Sequence, residues 1–150
     1  MLFLSPTTTT RKLDTMYIQI NVGRNYTTST GTQDTHDLFT WDVFTQTVQR
    51  DLNNAVSRYL SDYPGVYSAP AEIHLGTGSW ADQPEESAHI SLFCGAIDTL
   101  SFQDSRAYRE LVGALETRAI EYGQDAIALL LTESTLIWNP SVAPEPIDQI

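Results

Sequence analysis

The chain has 150 residues, of which 41% are hydrophobic and 18% are charged. This length fits one ordinary domain and this composition fits a folded chain, which argues against disorder and against several domains. Nineteen acidic side chains against eight basic ones give a formal net charge of −11. Such a surface repels phosphate groups and so excludes general binding to nucleic acid or to anionic membranes. The acidity favours solubility, or alternatively an acidic protein-interaction module that mimics nucleic acid or docks on a basic partner.

The number of cysteines and the order of residues at the start of the chain indicate the cellular compartment of the protein. Cys94 is the one cysteine, so no intrachain disulfide can form, and no CxxC or Cys/His metal spacing is present. We predict a reducing, cytoplasmic location, no metal and no cofactor. Cys94 ends an apolar run, which predicts a buried and unreactive thiol. Arg11 and Lys12 follow the apolar residues 1–4 instead of preceding them, and no run reaches transmembrane length, so we predict neither an export signal nor a membrane span.

The first predicted elements follow a threonine-rich stretch. Residues 1–15 show no hydrophobic period and are predicted to form a flexible arm. Residues 17–22 alternate between apolar and polar side chains, which predicts a half-buried strand that ends at Gly23. Apolar residues then recur at three- and four-residue steps from Trp41 to Tyr59, which predicts an amphipathic helix. Asp37 or Thr40 is the predicted cap of this helix.

The second half of the chain is predicted to contain a hairpin, a helix and a last strand. Residues 72–75 and 87–93 alternate, and the turn-rich residues 76–86 between them predict a hairpin with a long loop. Asp104 or Ser105 is the predicted cap of a second helix, and Gly123 is its predicted left-handed terminal residue. Residues 126–131 are apolar and predict the last strand, and residues 139–150 carry three prolines and predict a flexible tail.

The element order is strand, helix, strand, strand, helix, strand. It predicts one α+β domain over residues 16–138 with the ferredoxin-like fold, a four-stranded antiparallel sheet with both helices on one face. The alternation assigns to the helix side of the sheet Ile18, Ile20, Val22, Ile73, Leu75, Ile90 and Leu92. It assigns to the opposite, open face Tyr17, Gln19, Asn21, His74, His89, Ser91 and Phe93.

The open face mixes aromatic and polar side chains, and such a face is rarely left bare. We predict that it forms a homo-oligomer interface through Tyr17, Gln19, His74, His89 and Phe93, an arrangement that leaves room for a ligand pocket between subunits. The alternative is that the arm or the tail covers this face. A hairpin folded symmetrically about residues 81–82 would place His74 opposite His89.

The predicted ligand site lies at the rim where the first strand ends, because the ferredoxin-like topology brings that end close to the starts of the third and fourth strands. Its residues are Asn21, Arg24, Asn25, Ser79, Trp80, Glu86, Gln124 and Asp125. Arg24 offers a fork for phosphate or carboxylate and Trp80 offers a stacking surface, so we predict a small anionic metabolite or nucleotide. The alternative is that Arg24 forms a salt bridge with Glu86 or Asp125 that holds loops together.

Catalytic motifs are scarce in the sequence. It contains no GxxxxGK[ST], GxGxxG, HExxH or GxSxG pattern, so we predict a binding protein and not an enzyme. Glu85 and Glu86 are predicted to be solvated in a charged hairpin loop. The fragment His89-Ile90-Ser91-Leu92 resembles the His-x-Ser/Thr motif of the two-histidine phosphoesterases. That resemblance implies an enzymatic alternative in which His74 and His89 act as base and acid beside Ser91.

A longer pattern resembles small uncharacterised proteins of bacteria and their phages. It consists of Tyr17-Ile-Gln-Ile-Asn-Val-Gly-Arg-Asn, Trp41-x-x-Phe44, Gly78-Ser-Trp80 with Glu85-Glu-Ser-Ala, and Tyr122-Gly-Gln-Asp-Ala-Ile-Ala. This resemblance covers most of residues 16–137 and implies a compact one-domain protein in a bacterial or phage setting. It assigns no site. In a phage, sequestering or blocking a host component would suit a small acidic protein of this kind.

Overall fold

A computed structural model describes residues 10–80, 83–95, 98–137 and 140–141, with side chains described throughout these ranges except at 10–15, 80 and 134–137. The strands are β1 (Thr10–Gly23), β2 (Asn25–Thr27), β3 (Gln33–Thr35), β4 (Glu72–Trp80), β5 (Gln83–Cys94) and β6 (Ala128–Ile137). The helices are α1 (Leu38–Leu60), α2 (Thr99–Gln103) and α3 (Arg106–Glu121). Within these ranges, no helix combines the length and the apolar character that a membrane crossing requires.

The main sheet has four strands in the order β4-β5-β1-β6, and β2 and β3 form a separate two-stranded hairpin. Every pair in the main sheet is antiparallel. This strand order, together with the order of strands and helices along the chain, confirms the predicted ferredoxin-like α+β fold. β1 therefore lies in the middle of the sheet, while β4 and β6 form its edges.

The core lies between the helices and one face of the sheet. Ile18 and Ile20 of β1 and Ile90 of β5 are fully buried there, against Phe44 of α1 and Leu111 of α3. Each buried side chain of this size contributes about 1.5–3 kcal/mol relative to an exposed one. The predicted helix-side set is confirmed with one exception.

That exception is Leu75, which is 69% exposed on the edge strand β4. β4 has a neighbouring strand on one side alone, so the cover available to its side chains is smaller. Ile73, two residues earlier on the same strand, is partly buried against the core as predicted.

The helix ends follow local hydrogen bonding. Asp37 caps α1 because its side chain accepts from the Thr40 N–H at 2.8 Å, and this bond lowers the pKa of the Asp37 carboxyl. Ser105 caps α3 in the same way through the Tyr108 N–H at 3.1 Å. Gly123 adopts φ +64° after α3, as predicted, and a Cβ there would lie 2.9 Å from the Thr27 carbonyl oxygen. The short helix α2 was not predicted.

Three strands, β4, β5 and β6, are longer than the sequence pattern predicts. β4 and β5 pair continuously from Glu72 opposite Ser91 to Trp80 opposite Gln83, so most of the predicted long loop belongs to the hairpin ladder. β6 spans Ala128–Ile137 instead of residues 126–131. Gly, Ser and Thr near a strand end indicate a turn, yet main-chain pairing on an edge strand accepts them.

The ends of the domain also differ from the prediction. β1 begins at Thr10, and its first residues pair with the end of β6, with a register shift between Arg11 and Thr15. Residues 10–15 thus belong to the strand and not to the predicted arm, because β6 is long enough to pair with them. Residues 1–9 lie outside the described residues. The same holds for the predicted tail, apart from a turn at Pro140 and Ser141.

An ion pair joins α1 to α3 beside the core. The Arg118 guanidinium donates to Asp51 through two bonds, from Nε to Oδ2 at 2.9 Å and from Nη2 to Oδ1 at 3.2 Å. The Asp51 side chain is only 9% exposed and that of Arg118 is 20% exposed. Hydrogen bonding to Asp51 raises the pKa of Arg118, which therefore stays charged. A nearly buried carboxylate that loses such a partner is left without compensation.

We expect Arg118→Gln to lower the free energy of unfolding by about 1–3 kcal/mol, because it leaves the Asp51 carboxylate unpaired. Urea denaturation followed by circular dichroism measures this change. Arg106→Gln is the matched control, since the Arg106 side chain is 85% exposed in its pair with Glu110. It should cost no more than about 0.5 kcal/mol. Equal losses in the two variants would contradict the role of the Arg118–Asp51 pair.

Cys94 is buried on the helix side of β5, as predicted, and burial raises the pKa of its thiol to about 11. The thiol is therefore protonated at neutral pH, and the thiolate is the form that reacts. We expect alkylation of the folded protein by iodoacetamide at pH 7.5 to be slow and to accelerate on unfolding in urea. Rapid labelling in buffer, with the circular dichroism spectrum unchanged, would contradict this expectation.

Candidate ligand-binding site

The end of β1 contacts the elements that the topology prediction placed beside it. The Arg24 N–H donates to the Glu86 carbonyl oxygen at 2.9 Å, and the Asn25 N–H donates to Glu85 Oε2 at 2.9 Å. The Gly23 N–H donates to Gln124 Oε1 at 3.3 Å. The rim is thus built from the end of β1, the start of β5 and the loop that leads to β6.

Arg24 is occupied by contacts within the protein. Its guanidinium forms an ion pair with Glu86 through Nη1 and donates from Nε to the His36 carbonyl oxygen at 2.7 Å. The His36 N–H returns a bond to the Arg24 carbonyl oxygen at 3.0 Å. The salt bridge that was the alternative to a ligand contact is therefore present. Arg24 joins the end of β1 to the residue that precedes the α1 cap.

Gln124 extends the sheet beyond its last paired residues. β1 and β6 pair as far as Asn21 opposite Ala128. Past that point the Gln124 side chain accepts from the Gly23 N–H and donates from Nε2 to the Asn25 carbonyl oxygen at 3.1 Å. A side-chain amide can replace a neighbouring strand in this way because it offers both a donor and an acceptor.

A cavity of about 460 Å³ opens at this rim, and we call it the rim cavity. Its volume lies within the range of about 300–1,000 Å³ that is typical of small-molecule sites. Five predicted site residues line it, namely Asn21, Asn25, Ser79, Gln124 and Asp125. The lining described for the cavity does not include Arg24 or Glu86. The Trp80 side chain is outside the described part of the chain, so its predicted stacking role stays a prediction.

The sequence prediction missed several residues of the lining. Those with polar side chains are Tyr26, Thr27, Gln33, Gln83 and Ser87, together with His89, which had been assigned to the open face. Tyr26, Thr27 and Gln33 belong to the β2–β3 hairpin, which the sequence pattern showed only as a polar stretch. Glu85 and Ser87 lie on β5, where their place depends on the register of three strands.

Small residues on three adjacent strands create the floor of the rim cavity. Ser87 of β5 pairs with Gly23 of β1 on one side and with Gly76 of β4 on the other. Gly78 lines the cavity next to Ser87, and a Cβ on Gly78 would lie 3.4 Å from Ser87 Oγ. Ser87 and the neighbouring glycines leave space above the sheet, while the Glu85 carboxylate lies against Gly23.

The hydroxyl of Ser87 is buried and has no hydrogen-bond partner in the described part of the chain. Ser87 is 9% exposed, and its Oγ makes no hydrogen bond to any residue that the structure describes. Leaving a buried hydroxyl unpaired costs about 1–3 kcal/mol, and nearly all such groups in proteins have a partner. Ser87 also lines the rim cavity.

The charges of the described lining are negative. Glu85 and Asp125 line the cavity, and no lysine or arginine is found among the residues described around it. The Glu85 carboxylate lies directly against Gly23, where any Cβ would collide with it. Asp125 Oδ1 accepts from Thr27 Oγ1 at 3.0 Å. The remaining polar groups are mainly side-chain amides and hydroxyls, which both donate and accept hydrogen bonds.

The two histidines of the open face are neighbours but have different surroundings. His74 lies opposite His89 in the β4–β5 pairing, which confirms the predicted register. His74 Nε2 lies 3.2 Å from Glu72 Oε1, while His89 Nδ1 lies 3.3 Å from Gln19 Nε2. His89 lines the rim cavity and His74 is not in its described lining. Among the described residues, no group of three or more His, Cys, Asp or Glu side chains could hold a metal ion.

The rest of the open face has the predicted mixture of side chains. The Tyr17 and Phe93 rings contact each other with centroids 5.6 Å apart, and Phe93 is 47% exposed. Ser91, the third residue of the enzymatic alternative, is 7% exposed. The homo-oligomer interface through Tyr17, Gln19, His74, His89 and Phe93 stays a prediction.

The chain is similar to some solved structures. No family model matches it, and no curated protein matches it. A phage SAM lyase in complex with S-methyl-5'-thioadenosine is 16% identical, with a TM-score of 0.37 over 84% of this chain and 92% of that one. Foldit4, a de novo designed protein, is 13% identical, with a TM-score of 0.27 over 80% of this chain and 96% of that one. Similarities of this size identify neither a family nor a ligand.

We expect Gln124→Ala to loosen the rim, because it removes the acceptor of the Gly23 N–H and the donor to the Asn25 carbonyl oxygen. The Gly23 amide should exchange with solvent deuterium faster, and the free energy of unfolding should fall by about 1 kcal/mol. Amide exchange measured by NMR reports the first effect directly. Gln46→Ala, at an exposed position of α1, is the control. Unchanged exchange at Gly23 would show that Gln124 does not support the rim.

Proposed function

We propose that the protein is a non-enzymatic binding protein that holds a small hydrogen-bonding molecule in the rim cavity. The observation that carries this proposal is the Ser87 hydroxyl, which is buried in the cavity floor without a partner among the described residues. A ligand that bonds to this hydroxyl would remove its desolvation cost and gain that free energy as affinity. The side-chain amides around it offer further donors and acceptors for orienting the ligand.

Several contacts favour binding over catalysis. A catalytic serine needs a base within hydrogen-bonding distance, and the Ser87 hydroxyl has no such partner among the described residues. His89 Nδ1 contacts Gln19, and His74 contacts Glu72 outside the described lining of the cavity. Each of these histidines is thus engaged by a separate partner, although the two lie opposite each other in the β4–β5 pairing. Arg24, on which the predicted anionic ligand depended, is engaged by Glu86 and by the His36 carbonyl oxygen.

Filling the cavity tests the proposed function. In Gly78→Val the new side chain would cover the Ser87 hydroxyl, since even its Cβ would lie 3.4 Å from that oxygen. We expect the wild-type protein, purified without denaturation, to carry a bound small molecule in native mass spectrometry, and the variant to lose it. Thr77→Val is the matched control, because Thr77 is exposed on the same strand and outside the described lining.

A second readout covers a ligand that dissociates during purification. Amide spectra recorded with a library of small polar fragments should show shifts concentrated at Gly23, Gly78 and Ser87 in the wild type and in Thr77→Val. These shifts should be absent in Gly78→Val. A wild type with neither a retained mass nor a fragment that shifts these amides would overturn the proposed function. Turnover of a substrate that survives in Gly78→Val but not in His74→Gln would instead support the enzymatic alternative.

A further inference from the structure

We infer that the edge strand β4 is a self-association site, at which two copies of the chain pair their β4 strands antiparallel about a two-fold axis through Leu75. The two four-stranded sheets would thereby join edge to edge into one continuous sheet. This inference goes beyond the proposed function, because it concerns the outer edge of β4 and not the contents of the rim cavity. It also differs from the homo-oligomer contact predicted from the sequence, which uses the open face.

The outer edge of β4 presents main-chain groups that can pair with another strand. Within the described part of the chain, β5 is the one strand beside β4 in the sheet. In an antiparallel sheet the N–H and C=O groups of every second residue point away from the neighbouring strand. β4 has nine residues, whereas strands typically have about 5–6. It therefore presents a long row of such groups, which is a template for pairing with a further strand.

The features that usually protect an edge strand are not found in β4. Proteins block pairing at an edge with lysine, with proline, with a bulge or with a very short strand. The sequence of β4 contains no lysine, arginine or proline, and the strand pairs with β5 residue by residue from Glu72 to Trp80. The other edge strand, β6, carries Glu133, and its pairing with β1 shifts in register between Arg11 and Thr15. β4 is thus the edge better suited to pairing.

Leu75 is the exposed aliphatic side chain of this edge. It is 69% exposed, and its cross-strand partner on β5 is the small residue Ala88. Residues 74–79 are all exposed, so the helix layer does not cover this part of the strand. In a pair of β4 strands centred on Leu75, the two Leu75 side chains lie directly opposite, with Cβ atoms about 4.5–5.5 Å apart. Each leucine then covers apolar surface of the other, which favours association.

The geometry of antiparallel pairing restricts where the two-fold axis can pass. Residues whose main-chain groups point outward must face residues of the same kind, so each residue number and that of its partner differ by an even number. The axis therefore passes through one residue and not between two. Leu75 is the residue at which this axis brings exposed apolar side chains together, whereas Ile73 already packs partly against the core of its own copy.

The charges of β4 are compatible with pairing between identical copies. Glu72 is the acidic residue of the strand, and the axis through Leu75 places it opposite Gly78 of the other copy. The two Glu72 positions are then about 20 Å apart along the strands, well beyond the screening length of about 8 Å at physiological salt. The net charge of −11 on each copy opposes association at long range, so we expect added salt to strengthen the pairing.

Sedimentation velocity of the full chain over a range of concentrations tests the association. We expect a monomer–dimer equilibrium that shifts toward the dimer at high salt. Leu75→Lys puts two like charges opposite each other at the axis and should raise the dissociation constant about tenfold or more. Thr132→Lys is the control, because it adds the same charge at an exposed position of the other edge strand. Circular dichroism verifies that each variant is folded.

Thiol cross-linking tests the position of the axis. Dibromobimane bridges two thiols that lie close together and becomes fluorescent when it does so. We expect it to join two copies of Leu75→Cys efficiently, while the buried Cys94 does not react in the folded protein. Thr77→Cys is the matched control on the same strand, since an axis through Leu75 separates the two Thr77 positions by about 14 Å along the strands.

Three outcomes would overturn the inference. The first is a chain that stays monomeric at both low and high salt, which would leave the edge to another occupant such as an extended peptide. The second is a dimer that Leu75→Lys leaves intact, because the contact would then lie elsewhere, for example on the open face. The third is equally efficient cross-linking of Thr77→Cys and Leu75→Cys. The rim cavity is tested separately, since its described lining does not include Leu75.

Discussion

The placement of β1 between β5 and β6 is the constraint on which the rest of the structure depends. Its alternation sends Ile18 and Ile20 to the helices and leaves Tyr17 and Gln19 on the open face, and both neighbouring strands inherit that assignment through pairing. A shift of one residue would move every buried side chain to the wrong face. The hydrophobic core therefore fixes the register, and the register in turn fixes which residues meet at the end of the strand.

The rim cavity is a product of that same register. Gly23, Ser87 and Gly76 lie side by side on β1, β5 and β4, and the Glu85 carboxylate lies against Gly23. Ser87 Oγ has no hydrogen-bond partner among the described residues, an arrangement that costs stability, and such departures from polar satisfaction concentrate at functional sites. On the proposed function, a ligand that binds the folded state alone would return that free energy as stabilisation.

The sequence predicted the elements that have a regular hydrophobic period. It did not predict the features that depend on pairing between neighbouring strands. The period of two in β1 and the three- and four-residue steps of α1 are local signals, so both elements were found. Gly76 and Gly78 indicated a loop because no local signal shows that β5 pairs with them. Asn25 and Gln124 were predicted for the rim because they follow strand and helix ends. Ser87 was missed as a site residue because its surroundings depend on Gly76 and Gly78, which lie on the neighbouring strand β4. The sequence pattern assigned those glycines to a loop.

Arg24 shows why the role of a basic residue at the rim is hard to predict from the sequence. A single arginine at a rim is typical of an anion-binding site. A chain with 19 acidic side chains, however, offers many internal partners for its eight basic ones. Arg24, Arg58, Arg106 and Arg118 all form ion pairs with Asp or Glu. These ion pairs engage basic groups in contacts within the protein. The described lining of the rim cavity, with Glu85 and Asp125, has the same sign of charge as the chain as a whole.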